Sequence, residues 1–310
     1  GDGVVDALRE MIEVARALQT PLEVSHLKAI GGRNARKAVP EMLSLIARAR
    51  EEGLDVMCDA YPYTAGSTQL IHVLPPEFQA GGTETLTKRL RDCAAREEMR
   101  ARMETGSDFE NITLLVGFEN VVAIGLRTDE YRRFEGKSIA EIALALEKDP
   151  YDALFDLLAA EKCEAGMIDY ISDEEDLKAI LRAPFSGVIS DATYPGTGQV
   201  HPRVYGAFAR LIETYVVREK VLTLEQAVHK VTLQAAERFS LAGKGKIEVG
   251  ADADLLLFAP EKIRERGTYL TPKACASGFD EVFVLGERVI ENGEYRGGSS
   301  GEMLGLRMEY

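Results

Sequence analysis

Histidine is scarce in this chain: only His26, His72, His201 and His229 occur among 310 residues. Hydrolytic metal sites lean on imidazole, so few positions could anchor one. Cysteine is equally sparse. Cys58, Cys93, Cys163 and Cys275 are scattered with no CxxC pair, so a disulfide framework is not expected in a chain this large. Reduced thiols in a cytoplasmic protein are the simpler reading. No apolar run approaches the roughly 18 residues of a membrane span, and no signal-peptide core is visible. Positive charge is in deficit. The 37 Lys and Arg against 51 Asp and Glu leave a net charge of −14, which argues against sequence-independent binding to nucleic acid or an anionic membrane. No Walker loop, post-strand GxGxxG or GxSxG elbow is present, so ATP, NAD and serine-hydrolase readings lack a motif.

What is present is an alternation of helix and strand. Val4, Leu8, Met11, Ala15 and Leu18 fall at helical spacing, predicting an amphipathic opening helix. Leu22-Glu23-Val24-Ser25-His26 then reads as a short strand that ends in polar residues. Gly31-Gly32 breaks the chain, and Val39, Met42, Leu43 and Ile46 mark a second helix, with Pro40 tolerated in its first turn. Leu54–Cys58 is the next strand, running into Asp59-Ala60-Tyr61-Pro62-Tyr63. This βα repeat builds parallel sheets and barrels. Further along, residues 84–105, 139–146 and 151–160 read as helical, as do 173–181. Ile112–Val116, Gly166–Tyr170 and Phe185–Ile189 read as strands. Thr223-Leu224-Glu225-Gln226 is a capping-box helix start.

After Gly243 the pattern changes to short strands around a Gly-Ala-Asp-Ala-Asp turn: Lys246–Gly250, Leu255–Phe258, Glu281–Leu285 and Arg288–Ile290. We therefore expect an α/β barrel segment over residues 1–242 and a small β subdomain with a tail over residues 243–310. About five barrel-type strands precede the β subdomain, where a closed (β/α)8 barrel needs eight. The expectation is an open α/β sheet or the C-terminal part of a barrel.

Polar residues at the C-terminal ends of parallel strands are the usual catalytic positions in such folds. Three places qualify: Ser25-His26-Leu27-Lys28, Asp59–Tyr63 and Ser190-Asp191. The loop His201-Pro202-Arg203 follows the third. His26 is placed where a metal-ligating imidazole would stand, and a loop histidine held by hydrogen bonds fits the same spacing. Asp191 could ligate metal, act as a general base, or cap a turn. Arg203 offers a planar fork for a carboxylate, although a surface salt bridge is the commoner use of arginine. His201 could orient its loop. Tyr61 and Tyr63 flank a proline and could line a pocket or pack. His72 and His229 read as structural.

Four ordered segments carry a resemblance: Glu23-Val-Ser-His-Leu-Lys28, Asp59-Ala-Tyr-Pro-Tyr-Thr-Ala-Gly-Ser-Thr68, Ser190-Asp-Ala-Thr-Tyr-Pro195 and His201-Pro-Arg-Val-Tyr-Gly-Ala-Phe208. Together they resemble the D-aminoacylase (N-acyl-D-amino-acid deacylase) family of the amidohydrolase superfamily. The segment Gly245–Leu255 resembles that superfamily's C-terminal β-sandwich signature. The resemblance implies a metal-dependent (β/α)8 TIM barrel, of which this chain would hold about strands five to eight, plus a small C-terminal β-sandwich. It implies zinc as cofactor and a small N-acyl-D-amino acid as substrate, hydrolysed to a carboxylate and a free D-amino acid.

His26 then matches a metal ligand, Asp191 the catalytic aspartate, and Arg203 the holder of the substrate carboxylate. Tyr61, Ser67 and His201 are expected to line the substrate site. The superfamily's HxH pair is absent from this sequence, as is the cysteine ligand of D-aminoacylases, so the chain is expected to lack part of the zinc site. Near Met57, where several relatives carry a histidine, Cys58 is the nearest other donor. Another amidohydrolase reaction, such as cyclic amide or imide hydrolysis, and a noncatalytic homologue remain alternatives. A homo-oligomer is left open.

Overall fold

The computed structural model describes residues 1–193 and 198–304. Among them lie the strands β1 (Leu22–Val24), β2 (Val56–Ala60), β3 (Ala65–Gln69), β4 (Val121–Ile124), β5 (Gly166–Tyr170), β6 (Ser186–Val188), β7 (Leu255–Phe258), β8 (Phe279–Val284), β9 (Glu287–Glu291) and β10 (Glu294–Tyr295). They form three sheets, ordered β1-β2-β6, β3-β5-β4 and β10-β9-β8-β7.

The first sheet is parallel, with Val24 opposite Cys58 and Asp59 opposite Gly187. Its connections are helical. The helix Val4–Leu18 buries Leu8, Ile12 and Ala15, and the helix Ala38–Glu51 buries Val39, Met42, Ile46 and Ala49. Each set recurs at three- and four-residue steps, so each helix turns one apolar stripe inward. The first stripe is rotated from the one expected: Ile12 is buried, while Met11 and Leu18 face solvent. The helix Glu174–Arg182 is capped by Asp173, whose side chain accepts from the Glu175 and Asp176 N–H groups, and it leads into β6. Val24, Met42, Val56, Cys58, Leu177, Ile180 and Val188 belong to the core beneath this sheet.

The expectation of a barrel segment with about five barrel strands is met only in part. Three parallel strands form an open sheet, and two of the five expected barrel strands are something else. Gly166–Tyr170 is the central strand of the antiparallel sheet β3-β5-β4. Ile112–Val116 is a short helix: the Asn111 side chain accepts from the Leu114 N–H, and Gly117 ends the turn at φ +82°. This local cap overrides the strand preference of its β-branched residues. The segment 84–105 is two helices, Gly82–Arg89 and Cys93–Thr105, the second capped by Asp92.

The capping box at Thr223 and Gln226 forms as expected. In the C-terminal region the expected strand Lys246–Gly250 is irregular, and Ile247 and Val249 are exposed. The other three expected strands form within one four-stranded antiparallel sheet. No helix among the described residues is long and apolar enough to cross a membrane.

Candidate functional site

The parallel sheet presents its C-terminal ends to one side, and the chemistry-bearing residues gather there. β1 delivers Ser25 and His26, β2 delivers Asp59 and Tyr61, and β6 delivers Ser190 and Asp191. The helix Arg203–Arg210 begins at Arg203 itself.

Arg203 is the centre of the arrangement. It is 3% exposed, and its contacts come from four segments. Nη1 lies 2.9 Å from Asp191 Oδ2, and Nη2 donates to the Ser67 carbonyl at 3.1 Å. The guanidinium sits 4.6 Å from the centre of the Tyr61 ring, and its backbone N–H donates to His201 Nδ1 at 3.0 Å. Nε is buried without a hydrogen-bond partner. Asp191, by contrast, is partly exposed and has a left-handed backbone, φ +49°. One partner of this ion pair is pinned and buried, and the other is partly exposed.

His201 is buried, and both ring nitrogens are committed within the protein. Nδ1 accepts from Arg203, which places the ring proton on Nε2, where it donates to the Ala65 carbonyl at 3.0 Å. The ring packs edge-on against Tyr63 and Tyr269. Its contact role is therefore to hold the start of the Arg203 helix. Burial, with Arg203 beside it, pushes its pKa down from 6.5 to about 3. A histidine whose folded pKa is depressed contributes stability above the unfolded value that is lost as pH falls through the window from 6.5 to 3. The full effect is roughly 5 kcal/mol. Urea unfolding from pH 7 to pH 3 should show a steeper acid loss for this protein than for His201→Asn. Parallel curves would refute the neutral, buried imidazole.

His26 stands at the edge of this cluster and is exposed. Its Nδ1 lies 2.8 Å from Lys28 Nζ, which also donates to the His26 carbonyl at 3.0 Å. Lys28 lies over the Tyr61 ring, 5.7 Å from its centre. Burial lowers the Lys28 pKa, and the charges of Asp191, Glu110 and Asp169 oppose that shift. Lys28 thus links His26 electrostatically to Asp191. Ser67 turns its hydroxyl to the Met167 carbonyl at 2.8 Å and its own carbonyl to Arg203. Of the residues marked in the sequence, Tyr61, Ser67, Asp191, His201 and Arg203 meet directly, and His26 joins them through Lys28. Tyr194 and Pro195 lie outside the described residues.

Sequence reasoning passed over three contributors. Asp169 on β5 is 3% exposed with Oδ1 unpartnered. Burial pushes it up to about 6, against the pull of its own N–H, Lys28 and Arg203. Its signal was one acid inside the apolar run Gly-Met-Ile-Asp-Tyr. Across the strand pair lies Gly66, where a Cβ would stand 2.7 Å from Asp169 Oδ1, so only glycine leaves room. Glu265 braces the Tyr61–Tyr63 loop: it accepts from the Tyr63 hydroxyl at 2.7 Å and pairs with Arg210 at 3.0 Å. Arg210 in turn donates to the Pro62 carbonyl. Glu265 sits in the connection between β7 and β8 and had no sequence signal. Lys28 lay within a marked segment but carried no assigned role.

The amidohydrolase family profile matches residues 152–271. The chain is 28% identical to a D-aminoacylase from Alcaligenes xylosoxydans xylosoxydans, an alignment covering 98% of this chain and 52% of that protein. It is 29% identical to an N-acyl-D-glutamate deacylase of the same organism, over 92% of this chain and 49% of the relative. A crystal structure of a D-aminoacylase superposes with a TM-score of 0.74 at 29% identity, covering 98% of this chain and 54% of that one. Residues 152–271 thus carry an amidohydrolase match, and the chain as a whole is similar to D-aminoacylases and N-acyl-D-amino-acid deacylases. It spans about half the length of the curated relatives it matches. The N-acyl-D-glutamate deacylase of Bordetella bronchiseptica, solved with zinc and a phosphonate mimic of the tetrahedral intermediate, superposes with a TM-score of 0.72 at 28% identity, over 93% of this chain and 50% of that one.

The described residues do not by themselves fit a zinc ion. Zinc takes three or four protein donors, and among the described residues no group of three His, Cys, Asp or Glu side chains could hold a metal. A protonated Lys28 also donates to His26 Nδ1, which leaves the ring proton on Nε2. Cys58 is fully buried, and burial pushes its thiol up to about 12, away from the thiolate that binds metal. Asp191 is already paired with Arg203.

Proposed function

We propose that this chain forms the substrate-anchoring and proton-transfer side of an N-acyl-D-amino-acid deacylase site. The observation that carries this reading is the Arg203–Asp191 pair, held in place by Tyr61, Ser67 and His201. The D-aminoacylase and deacylase likenesses over more than nine-tenths of the chain support it.

Arg203 presents a rigid, largely desolvated cation to the α-carboxylate of an N-acyl amino acid. Such charge-assisted bonds are short and directional. With the carboxylate fixed, the acylated nitrogen and the side chain on the same carbon are placed by its handedness, which is the source of D-selectivity. The incoming carboxylate replaces Asp191 on Nη1. Asp191, partly exposed and without a second strong anchor, then swings free as a carboxylate. It takes a proton from the attacking water and delivers it to the departing amine. Coupling the release of the base to anchoring of the carboxylate makes that carboxylate matter for turnover as well as affinity.

Were zinc bound with further donors, His26 would be the ligand that the described residues offer, provided that Lys28 left Nδ1, and the ion would supply polarisation of the acyl carbonyl. The parallel sheet β1-β2-β6 is proposed to be a sector of a (β/α)8 barrel, as the superpositions support.

Titration calorimetry on the 310-residue chain tests the anchoring step. N-Acetyl-D-leucine should bind at least about tenfold more tightly than N-acetyl-D-leucinamide, the loss expected when one charge-assisted contact is removed. Equal affinities would remove carboxylate recognition from Arg203.

A further inference from the structure

The strand β2 reads Val-Met-Cys-Asp-Ala, and its fourth residue is out of place in a buried parallel strand. Asp59 is 7% exposed, at a position where apolar residues normally stand. Its register partner is Gly187, so no side chain on β6 answers the carboxylate. The hydrogen bonds show where it is used. Asp59 Oδ1 accepts the His26 backbone N–H at 2.6 Å and the Ser25 hydroxyl at 3.3 Å. The Asp59 carbonyl accepts the Leu27 N–H at 2.9 Å. Three consecutive residues of the loop after β1 are thus tied to one residue of β2.

The loop requires such a hold. His26 has φ +43°, a left-handed conformation that non-glycine residues adopt only at a cost. Hydrogen bonds to a carboxylate are stronger than neutral ones and oppose that cost. Behind Asp59, Glu23 is held by Arg238 Nε at 2.7 Å, and Arg238 Nη1 donates to Asp55 at 2.9 Å. In front, the His26 ring and carbonyl receive Lys28 Nζ. The chain of contacts runs from strand to loop to the two side chains that face the site.

We infer that Asp59 is a positioning residue: it fixes the left-handed turn at His26 and thereby sets the direction of the His26 imidazole and the placement of Lys28. This rests on the proposed site only in that His26 and Lys28 belong to it. The hydrogen-bond geometry stands whatever the substrate.

Amide NMR on the 310-residue chain tests the inference without turnover or ligand. In Asp59→Ala the His26 amide should exchange at least about tenfold faster, the factor for losing about 1.4 kcal/mol. Its proton should move upfield, while the Leu22 and Val24 amides of β1 stay close to their original values. Asp59→Asn keeps an acceptor of the same shape and should restore most of the protection, though with an upfield proton because the charge is gone. An unchanged His26 amide in Asp59→Ala overturns the inference. So does equal loss of protection at Leu22, Val24 and His26 in both variants, which would make Asp59 a general strand residue. If Asp59→Ala does not fold, Asp59→Asn decides alone: a folded protein whose His26 proton has not moved overturns the assignment. These outcomes are independent of calorimetric carboxylate binding, so either reading can fail without the other.

Discussion

Supplied with excess zinc, the purified 310-residue chain should hydrolyse N-acetyl-D-amino acids no faster than buffer. Amide hydrolysis on an enzyme is commonly accelerated by a factor of about 10^6 or more, so the expected deficit is the whole of that acceleration. The reason is the donor count. Tetrahedral zinc needs at least three protein ligands, and no such group exists among the described residues. His26 Nδ1 is engaged by Lys28, Cys58 is sealed in the core, and Asp191 is bound to Arg203. Metal analysis after dialysis should accordingly find well under one equivalent of zinc. Robust turnover, or a full equivalent retained, would mean that these residues rearrange into a metal site that their present contacts do not suggest.

The second large effect concerns Arg203. Arg203→Met should weaken N-acetyl-D-leucine binding by about 100-fold, the equivalent of roughly 3 kcal/mol, consistent with the loss of one or two charge-assisted bonds. Stability should change little. Methionine has a similar length, removing a buried charge also removes its desolvation cost, and the partner left behind, Asp191, is exposed enough to be rehydrated. Arg203→Lys should recover only part of the affinity, because a point charge cannot hold the Ser67 carbonyl and a ligand carboxylate in one plane. Calorimetry paired with urea unfolding separates the two effects. A variant that binds normally, or one that loses binding only because it unfolds, would remove Arg203 from the anchoring role.

Much of this site was legible because it follows from one rule. Short apolar strands ending in Ser-His, Asp-Ala-Tyr and Ser-Asp are parallel strands whose last residues face a common side, and β1, β2 and β6 satisfy it. The rule failed where local or distant contacts decide. Ile112–Val116 has strand-like residues, yet the Asn111 side chain closes a helical turn before any strand partner is met. Ile247 and Val249 alternate like a strand but gain no burial from it. Gly166–Tyr170 is a strand as expected, but its neighbours are β3 and β4, and nothing in its own residues names them.

The same limit explains the missed residues. Asp169 acquires its meaning from Gly66 across the ladder and from the cations nearby, and Glu265 from a tyrosine and an arginine far away in sequence. His201 was visible, but its part in holding Arg203 depends on two acceptor and donor contacts that only the fold brings together.

The central claim is that Arg203 and Asp191 pair with each other and that a ligand carboxylate takes Asp191's place. A crystal structure of this chain soaked with N-acetyl-D-leucine tests it most directly. The account predicts the ligand carboxylate on Arg203 Nη1, with Asp191 displaced toward the ligand's amide. A ligand whose carboxylate lies elsewhere, with the 2.9 Å Arg203–Asp191 contact intact, would contradict it.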